Sequence, residues 1–308
     1  MKTLGQAYGD LLCRFANEYP QIFTIEADLL HGTENFKSRF PERSLDVGVA
    51  EANMAGVAAG LAILGKKPFI HSFSPFVSRR IFDQIYISVA YARLPIVIVG
   101  SSPGITAGVN GGTHMSFEDF AMFRCVPEMV VFEPADWRTL ECAFERIITT
   151  DKPVYMRLNG REEREILPEG AAVEIGRAVR LHEGSDVSII AAGFLAHEGI
   201  EAVRALREIG VSADLIYVHT VKPLDKEMII DSAAKTGAVV VAENHSEYNG
   251  LGDAVLDALR DSRPVYLEKV AIRDCFGEVG SVEYLQKKFG LTAKNIIDAA
   301  LTAMKGRR

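Results

Sequence analysis

The feature that most limits what this chain can fold into is a regular alternation of short, unbroken apolar runs with longer helical patterns. The runs recur at Ile22–Ile25, Leu45–Val49, Pro68–His71, Ile96–Gly100, Met129–Glu133 and Val154–Arg157. They lack the apolar–polar alternation of a sheet with one wet face, so each reads as a strand buried on both sides. The segments between them, such as Ala50–Leu64 and Val77–Ala92, carry a helical period and, in the first, many alanines. Such strands separated by helices predict a mostly parallel sheet covered on both faces. Between Asn159 and Gly184 the pattern breaks into charge, a proline and glycines, which predicts a linker ending in a short lead-in strand. A second series follows, with strands at Val187–Ala191, Ala213–Tyr217, Ala238–Ala242 and Val265–Val270. Its helices fall at His197–Ile209, Lys226–Thr236 and Gly250–Asp261. The expected fold is α/β, with two tandem three-layer domains: residues 1–165, a linker over 166–185, and a smaller domain over 186–308.

Charge and cysteine content narrow the function classes. A formal net charge of −7 argues against a nucleic-acid binder, which presents a basic patch. The four cysteines, Cys13, Cys125, Cys142 and Cys275, are scattered and form no CxxC pair, so reduced thiols are expected rather than a zinc site or disulfides. No metal site is expected in this chain. Acids and polar residues interrupt the first twenty positions, MKTLGQAYGDLLCRFANEYP, unlike a signal peptide. No window approaches the ~18 apolar residues of a membrane span. A cytoplasmic location is the expectation.

The chemistry concentrates in residues 46–84, DVGVAEANMAGVAAGLAILGKKPFIHSFSPFVSRRIFDQ. Glu51 follows an apolar strand at the mouth of a small-residue helix, and Phe73 and Phe76 lie on the turn after the next strand. A lone acid beside two aromatics suits a flat, nitrogen-rich heterocycle: one group holds a ring nitrogen and another stacks on the ring face. An acid in a first helical turn is also favoured by the helix dipole alone. The functional reading gains weight from His114, in GGTHM after the following strand, and from Arg157 at the end of another. Open α/β sheets place their ligands at the C-terminal ends of successive strands. The first strand–turn–helix, TIEADLLHGTENF, has neither GxGxxG nor GKS/T, so no nucleotide phosphate loop is predicted.

Taken together, these segments resemble the transketolase family, its pyrimidine-binding domain followed by its C-terminal domain, over essentially the whole chain. The resemblance rests on RFPERSLDVGVAEANMAGVAAGLAILGKKPFIHSF, GVNGGTHMSFEDFAMFRCVPEMVVFEPAD, KPVYMRLNGRE and GAVVVAENHSEYNGLGDAV, in that order. It implies thiamine-diphosphate chemistry. Glu51 matches the family acid that bonds the pyrimidine ring nitrogen, a role that calls for a partly buried carboxyl with a raised pKa. Phe76 would stack on the pyrimidine with Phe73 beside it, and Val49 matches the apolar wedge that bends the cofactor. Asp28 matches an Asp near the thiazolium. His114 matches a His that faces the substrate carbonyl. Arg157 and Arg161 fall where the family binds a distal phosphate, and Arg79 is a third candidate for an anionic substrate end. The family often has Asp four residues before the His, where it reads a substrate hydroxyl; here Asn110 stands there and carries no charge.

One omission shapes the expectation of partners. Transketolases normally begin with a domain that holds the diphosphate through Mg²⁺ and a Gly-Asp-Gly…Asn motif, and no such motif occurs in these 308 residues. The resemblance therefore implies the C-terminal subunit of a split transketolase, moving a two-carbon ketol unit from a ketose phosphate or related anionic ketose to an aldose. An N-terminal subunit would hold most of the Mg²⁺ and diphosphate, and two-fold symmetry predicts an α2β2 heterotetramer. The competing readings are the β subunit of a 2-oxoacid dehydrogenase, a 1-deoxyxylulose-phosphate synthase fragment, and a non-catalytic regulatory subunit. GGTHMSFED favours the first reading over the dehydrogenase. Retention of Glu51, Phe76 and His114 together disfavours a decayed, non-catalytic chain. His197, His219 and His245 lie in the second half without forming a catalytic constellation.

Overall fold

The computed structural model describes residues 2–307, with residues 31, 162 and 263 excepted. The first half of the chain contributes β1 (Ile22–Glu26), β2 (Ser44–Asp46), β3 (Lys67–Phe73), β4 (Val97–Ser101), β5 (Val130–Phe132) and β6 (Val154–Leu158). The second contributes β7 (Val179–His182), β8 (Val187–Ala191), β9 (Ala213–Tyr217), β10 (Thr220–Lys222), β11 (Ala238–Ser246) and β12 (Tyr266–Ile272). One sheet runs β10-β5-β6-β4-β3-β1-β2 and the other β12-β11-β8-β9-β7. All neighbours pair in parallel except β10 against β5 and β7 against β9. In the first sheet the chain steps outward from β1 to β2, then returns to the other side of β1 with β3 and continues to β4. The winding therefore reverses between β1 and β3, and a crevice at the C-terminal strand ends is the consequence.

Helices cover both faces of each sheet. Helices α1 (Leu4–Glu18), α2 (Glu34–Arg39) and α3 (Glu51–Ile63) lead the first half. A single turn α4 (Ser74–Val77) precedes α5 (Phe82–Gln84), which runs directly into a π-helical segment, Ile85–Tyr91. The sequence suggested one helix over Val77–Ala92, but residues 78–81 break it. The Ser78 hydroxyl donates to the Ser74 carbonyl at 2.6 Å, and Ser78 has left the helical region at φ −103°, ψ −95°. A serine that satisfies its own turn in this way competes with helix continuation. Helices α6 (Asp119–Arg124) and α7 (Trp137–Thr149) complete this half, and α8 (Leu195–Glu208), α9 (Lys226–Thr236), α10 (Leu251–Leu259), α11 (Val282–Lys288) and α12 (Ala293–Gly306) serve the second sheet.

The core explains why the two sheets do not stand apart. Met54 of α3 and Ile85 of the π-helical segment share one apolar cluster with Val241 of β11 and Leu251 of α10. Strand β10 carries second-half sequence to the edge of the first sheet, and the Glu133 amide donates to the His219 carbonyl at 2.9 Å as an extension of that pairing. In α3 the buried face is Met54, Ala55, Ala58, Ala59 and Ala62, the spacing of a helix laid against a sheet. Its outer face exposes Gly56 and Gly60, each with open space around it. Interior helical glycines cost about 0.5–1 kcal/mol each relative to alanine, and no described residue packs against either one. No helix among the described residues is long and apolar enough to cross a membrane.

Candidate active site

Strand ends β2, β3 and β4 bring the site together. Glu51 opens α3 directly after the turn that follows β2, and that turn is set by Asp46. Its carboxylate accepts from the Gly48 and Asp28 amides at 3.0 and 3.1 Å, with Gly48 at φ +69°, a conformation glycine adopts at little cost. The Gly48 amide, more than any other group, holds the Asp46 carboxyl below its usual range. The turn points the Glu51 side chain inward, leaving it 4% exposed.

Beyond β3, Phe73 and Phe76 meet edge to face, with centroids 5.9 Å apart and planes at 88°. His114 sits against both rings, at 5.0 Å from Phe73 and 5.1 Å from Phe76. The Thr113 hydroxyl lies 3.0 Å from His114 Nδ1, leaving Nε2 free of that contact. The structure thus places Glu51, Phe73, Phe76 and His114 at one end of one sheet. A residue the sequence reading passed over completes the group. Arg80 Nη1 lies 2.5 Å from Glu51 Oε1, and the guanidinium carbon stands 3.8 Å from the Phe76 ring centroid. Its position four residues after Phe76, on a turn, was the available signal.

The other candidates divide. Val49 is 73% exposed beside Glu51. Asp28 is exposed at φ +55° with its amide bound to Asp46. Asn110 is exposed on the loop before His114. Arg79 bridges the Glu118 carboxylate at 2.7 Å and the Thr113 carbonyl at 3.0 Å, so it stands next to the His114 loop while keeping solvent access. Arg161 turns toward the second half, pairing with Glu163 at 2.9 Å, donating to Gln286 and lying over the Phe194 ring. Arg157 requires a correction. Proposed from sequence as a phosphate ligand, it is fully buried. Its guanidinium is consumed by Asp119 on two nitrogens, by Glu133 at 3.3 Å, by the Asn244 carbonyl and by the Phe120 ring at 3.7 Å. Burial pushes the Asp119 carboxyl up, but Arg157 outweighs it and holds that group below its usual range. A guanidinium so enclosed has no face left for a substrate anion.

The loop that carries Asn110 and His114 is clamped by the second half. Asn244 Oδ1 accepts from the Ile105 amide at 3.1 Å, and its Nδ2 donates to the Pro103 carbonyl at 3.0 Å. At the loop's far end, a Cβ on Gly112 would collide with the Gly277 carbonyl. Close approach of two backbones, rather than turn geometry, is what these glycines supply. Among the described residues no cluster of His, Cys, Asp and Glu is arranged to hold a metal ion.

The fold is that of a two-sheet α/β protein that gathers a buried acid, two phenylalanines and a histidine at the C-terminal ends of parallel strands. Residues 1–164 match the family model described as the transketolase pyrimidine binding domain, and residues 176–296 that of the transketolase C-terminal domain. The chain is 50% identical over 299 residues to the 6-deoxy-6-sulfo-D-fructose transketolase subunit SqwH of Clostridium sp. (strain MSTE9), across 96% of this chain and 93% of that protein. It is 37% identical to a putative transketolase C-terminal section of Methanocaldococcus jannaschii, across 99% and 97%. A solved structure described as a split gene transketolase, inactive beta4 tetramer, superposes with a TM-score of 0.93 at 36% identity, each chain covered in full. The chain belongs to the transketolase family. It is a transketolase-type enzyme subunit, of a family that depends on thiamine diphosphate, built from the pyrimidine-binding and C-terminal domains.

Proposed function

We propose that this chain forms the pyrimidine half of a thiamine-diphosphate site that an N-terminal subunit completes, the pair transferring a two-carbon ketol unit from an anionic ketose to an aldose. The observation that carries the reading is the Glu51–Phe76–His114 group: a buried carboxylate, an aromatic floor and a histidine gathered at the C-terminal ends of a parallel sheet. These residues fit the cofactor. The planar Arg80 guanidinium already rests on Phe76 beside Glu51, so the site accepts a flat group stacked on that ring within reach of the carboxyl. Glu51 would hold a proton at the pyrimidine nitrogen, Phe76 would stack on the ring with Phe73 behind it, Val49 would supply the apolar wedge, and Asp28 would stand toward the thiazolium. When bound, the cofactor supplies the carbon nucleophile that opens the donor carbonyl. His114, in contact with Thr113, exchanges a proton with the sugar oxygens. Asn110 reads a hydroxyl without charge, and Arg79 meets the anionic end of the sugar.

Mg²⁺ and the diphosphate would fall to the partner, because the domains matched in this chain are the pyrimidine-binding and C-terminal ones. The partner's seat is the outer face of α3 and its surroundings, where Gly56 and Gly60 permit close approach and Val49, Ile63, Leu64 and Tyr91 are exposed. An α2β2 assembly in the cytoplasm follows. The relationship to SqwH favours a sulfonated ketose, 6-deoxy-6-sulfofructose, as donor over fructose 6-phosphate. The test is ketol transfer by the chain reconstituted with its N-terminal subunit. The lone chain should be inactive, Glu51→Gln should remove most activity with the fold intact, and His114→Ala should lower turnover more than cofactor affinity. Near wild-type transfer by Glu51→Gln would refute the assignment.

A further inference from the structure

We propose that Arg80 occupies the pyrimidine slot of the unpartnered chain, and that cofactor binding exchanges this guanidinium for the aminopyrimidine ring; the proposal rests on the thiamine-diphosphate reading above. Two contacts define the slot, and Arg80 makes both. Its guanidinium carbon is 3.8 Å from the Phe76 centroid, and Nη1 is 2.5 Å from Glu51 Oε1. A guanidinium is a planar plate with N–H donors in its plane, able to stack on an aromatic face and bond a carboxylate together. An aminopyrimidine offers the same plate, but its ring nitrogen accepts, so Glu51 takes up a proton from solvent and becomes the donor as Arg80 leaves. The guanidinium and the pyrimidine compete for the same ring face and the same carboxylate, so one excludes the other.

The backbone around Arg80 is built to let the side chain leave while the chain stays put. Arg80 lies in the non-helical break between α4 and α5, next to the exposed Arg79, with Ser78 and Ile81 fully buried on either side of the pair and its own amide donating to the Pro75 carbonyl at 3.2 Å. The side chain itself is 44% exposed, and among the described residues its one hydrogen bond is to Glu51. Rotating the stem outward therefore breaks a single ion pair and one stack. The pair has a purpose in the lone chain, since a carboxylate as buried as Glu51 is costly without a counter-charge. Exchange of one stacked plate for another, with a proton taken up by Glu51, leaves little net affinity for the pyrimidine alone. Cofactor capture then depends on the diphosphate end, which the partner holds, so a lone chain does not sequester cofactor that it cannot use.

The experiment measures binding of 4-amino-5-hydroxymethyl-2-methylpyrimidine to the full chain by ligand-observed NMR and calorimetry. At mildly alkaline pH this probe is uncharged, so removing a cation gives it no general electrostatic gain. Arg80→Ala should bind the probe about fivefold to tenfold more tightly than wild type. Arg80→Lys keeps a charge for Glu51 but has no plate to stack, and should fall between the two. Thermal melts of both variants check the fold. Equal or weaker binding by Arg80→Ala overturns the exchange, and so does an absence of probe binding to all three chains. Ketol transfer by the reconstituted enzyme, and its loss in Glu51→Gln, would survive either result, so the two proposals fail separately.

Discussion

Replacing Arg157 separates a structural guanidinium from a substrate-binding one. In Arg157→Ala, Asp119 and Glu133 remain buried and lose their shared counter-charge, as do the Asn244 carbonyl and the Phe120 face. Removing one partner of a buried ion pair destabilises by about 3–5 kcal/mol, chiefly through the charge left behind. For a chain of this size that corresponds to a melting temperature lower by about 5–8 °C. The loss should shrink in acid. Arg157 holds the Asp119 carboxyl low in the native state, so the stability it supplies is present above the ordinary carboxylate pKa and is lost as pH falls through the native value. Without Arg157 the two acids take up protons, and the variant and wild type converge. Asp119→Asn in an Arg157→Met background should cost less than Asp119→Asn alone, the coupling expected of groups in contact. Melting curves and urea midpoints across pH measure all of this. An Arg157→Ala chain that melts like wild type, yet shows a raised KM for the anionic donor, would return Arg157 to the substrate and refute the burial argument.

Two further outcomes follow from buried contacts. His219 is enclosed by Phe132 and Tyr217, and burial pushes its pKa down to about 4. The unfolded chain binds its proton below about 6.5, so stability is full above that pH and is lost as pH falls toward the native value. Between pH 7.5 and 5 this one group should cost wild type about 2 kcal/mol, and urea midpoints should show His219→Gln losing that much less. Gly112→Ala should lower both turnover and the melting temperature, because its Cβ collides with the Gly277 backbone and shifts the His114 loop; an unchanged melt with unchanged kcat would show that the two backbones can move apart freely.

Elements with their own pattern were legible from sequence, and elements set by distant partners were not. The runs at Ile22–Ile25, Val187–Ala191 and Ala213–Tyr217 sit within one residue of β1, β8 and β9, since a strand buried on both faces announces itself by composition. β10 spans three residues and exists because Phe132 and Val131 of the other half pair with it, information no local window contains. The predicted strand Leu45–Val49 ends early, at Asp46, where that side chain captures the Gly48 amide. The grouping of an acid with two aromatics was readable because each lies just past a strand. Arg157 was misread for the same reason: an arginine at a strand end looks like a ligand-binding group, and only the fold reveals Asp119, 38 residues earlier, enclosing it. Arg80 was missed because its meaning lies in the face of Phe76 it covers.

The geometry gives the second domain a direct hold on the candidate site. Asn244 pins the start of the His114 loop at Pro103 and Ile105, and Gly277 presses against Gly112 at its end. Between these points the same strand, β11, lends its Asn244 carbonyl to Arg157 and places Glu243 on the amides of Leu251 and Gly252. Glu243 has its pKa raised to about 7 by burial against those bonds. A backbone contact between two glycines cannot be replaced by a side chain, and an amide that bonds two loop groups at once cannot follow one of them without losing the other. The His114 loop is therefore set from outside its own domain. Its position relative to Glu51 and Phe76 depends on how the two sheets pack, which makes the second domain part of the site's precision.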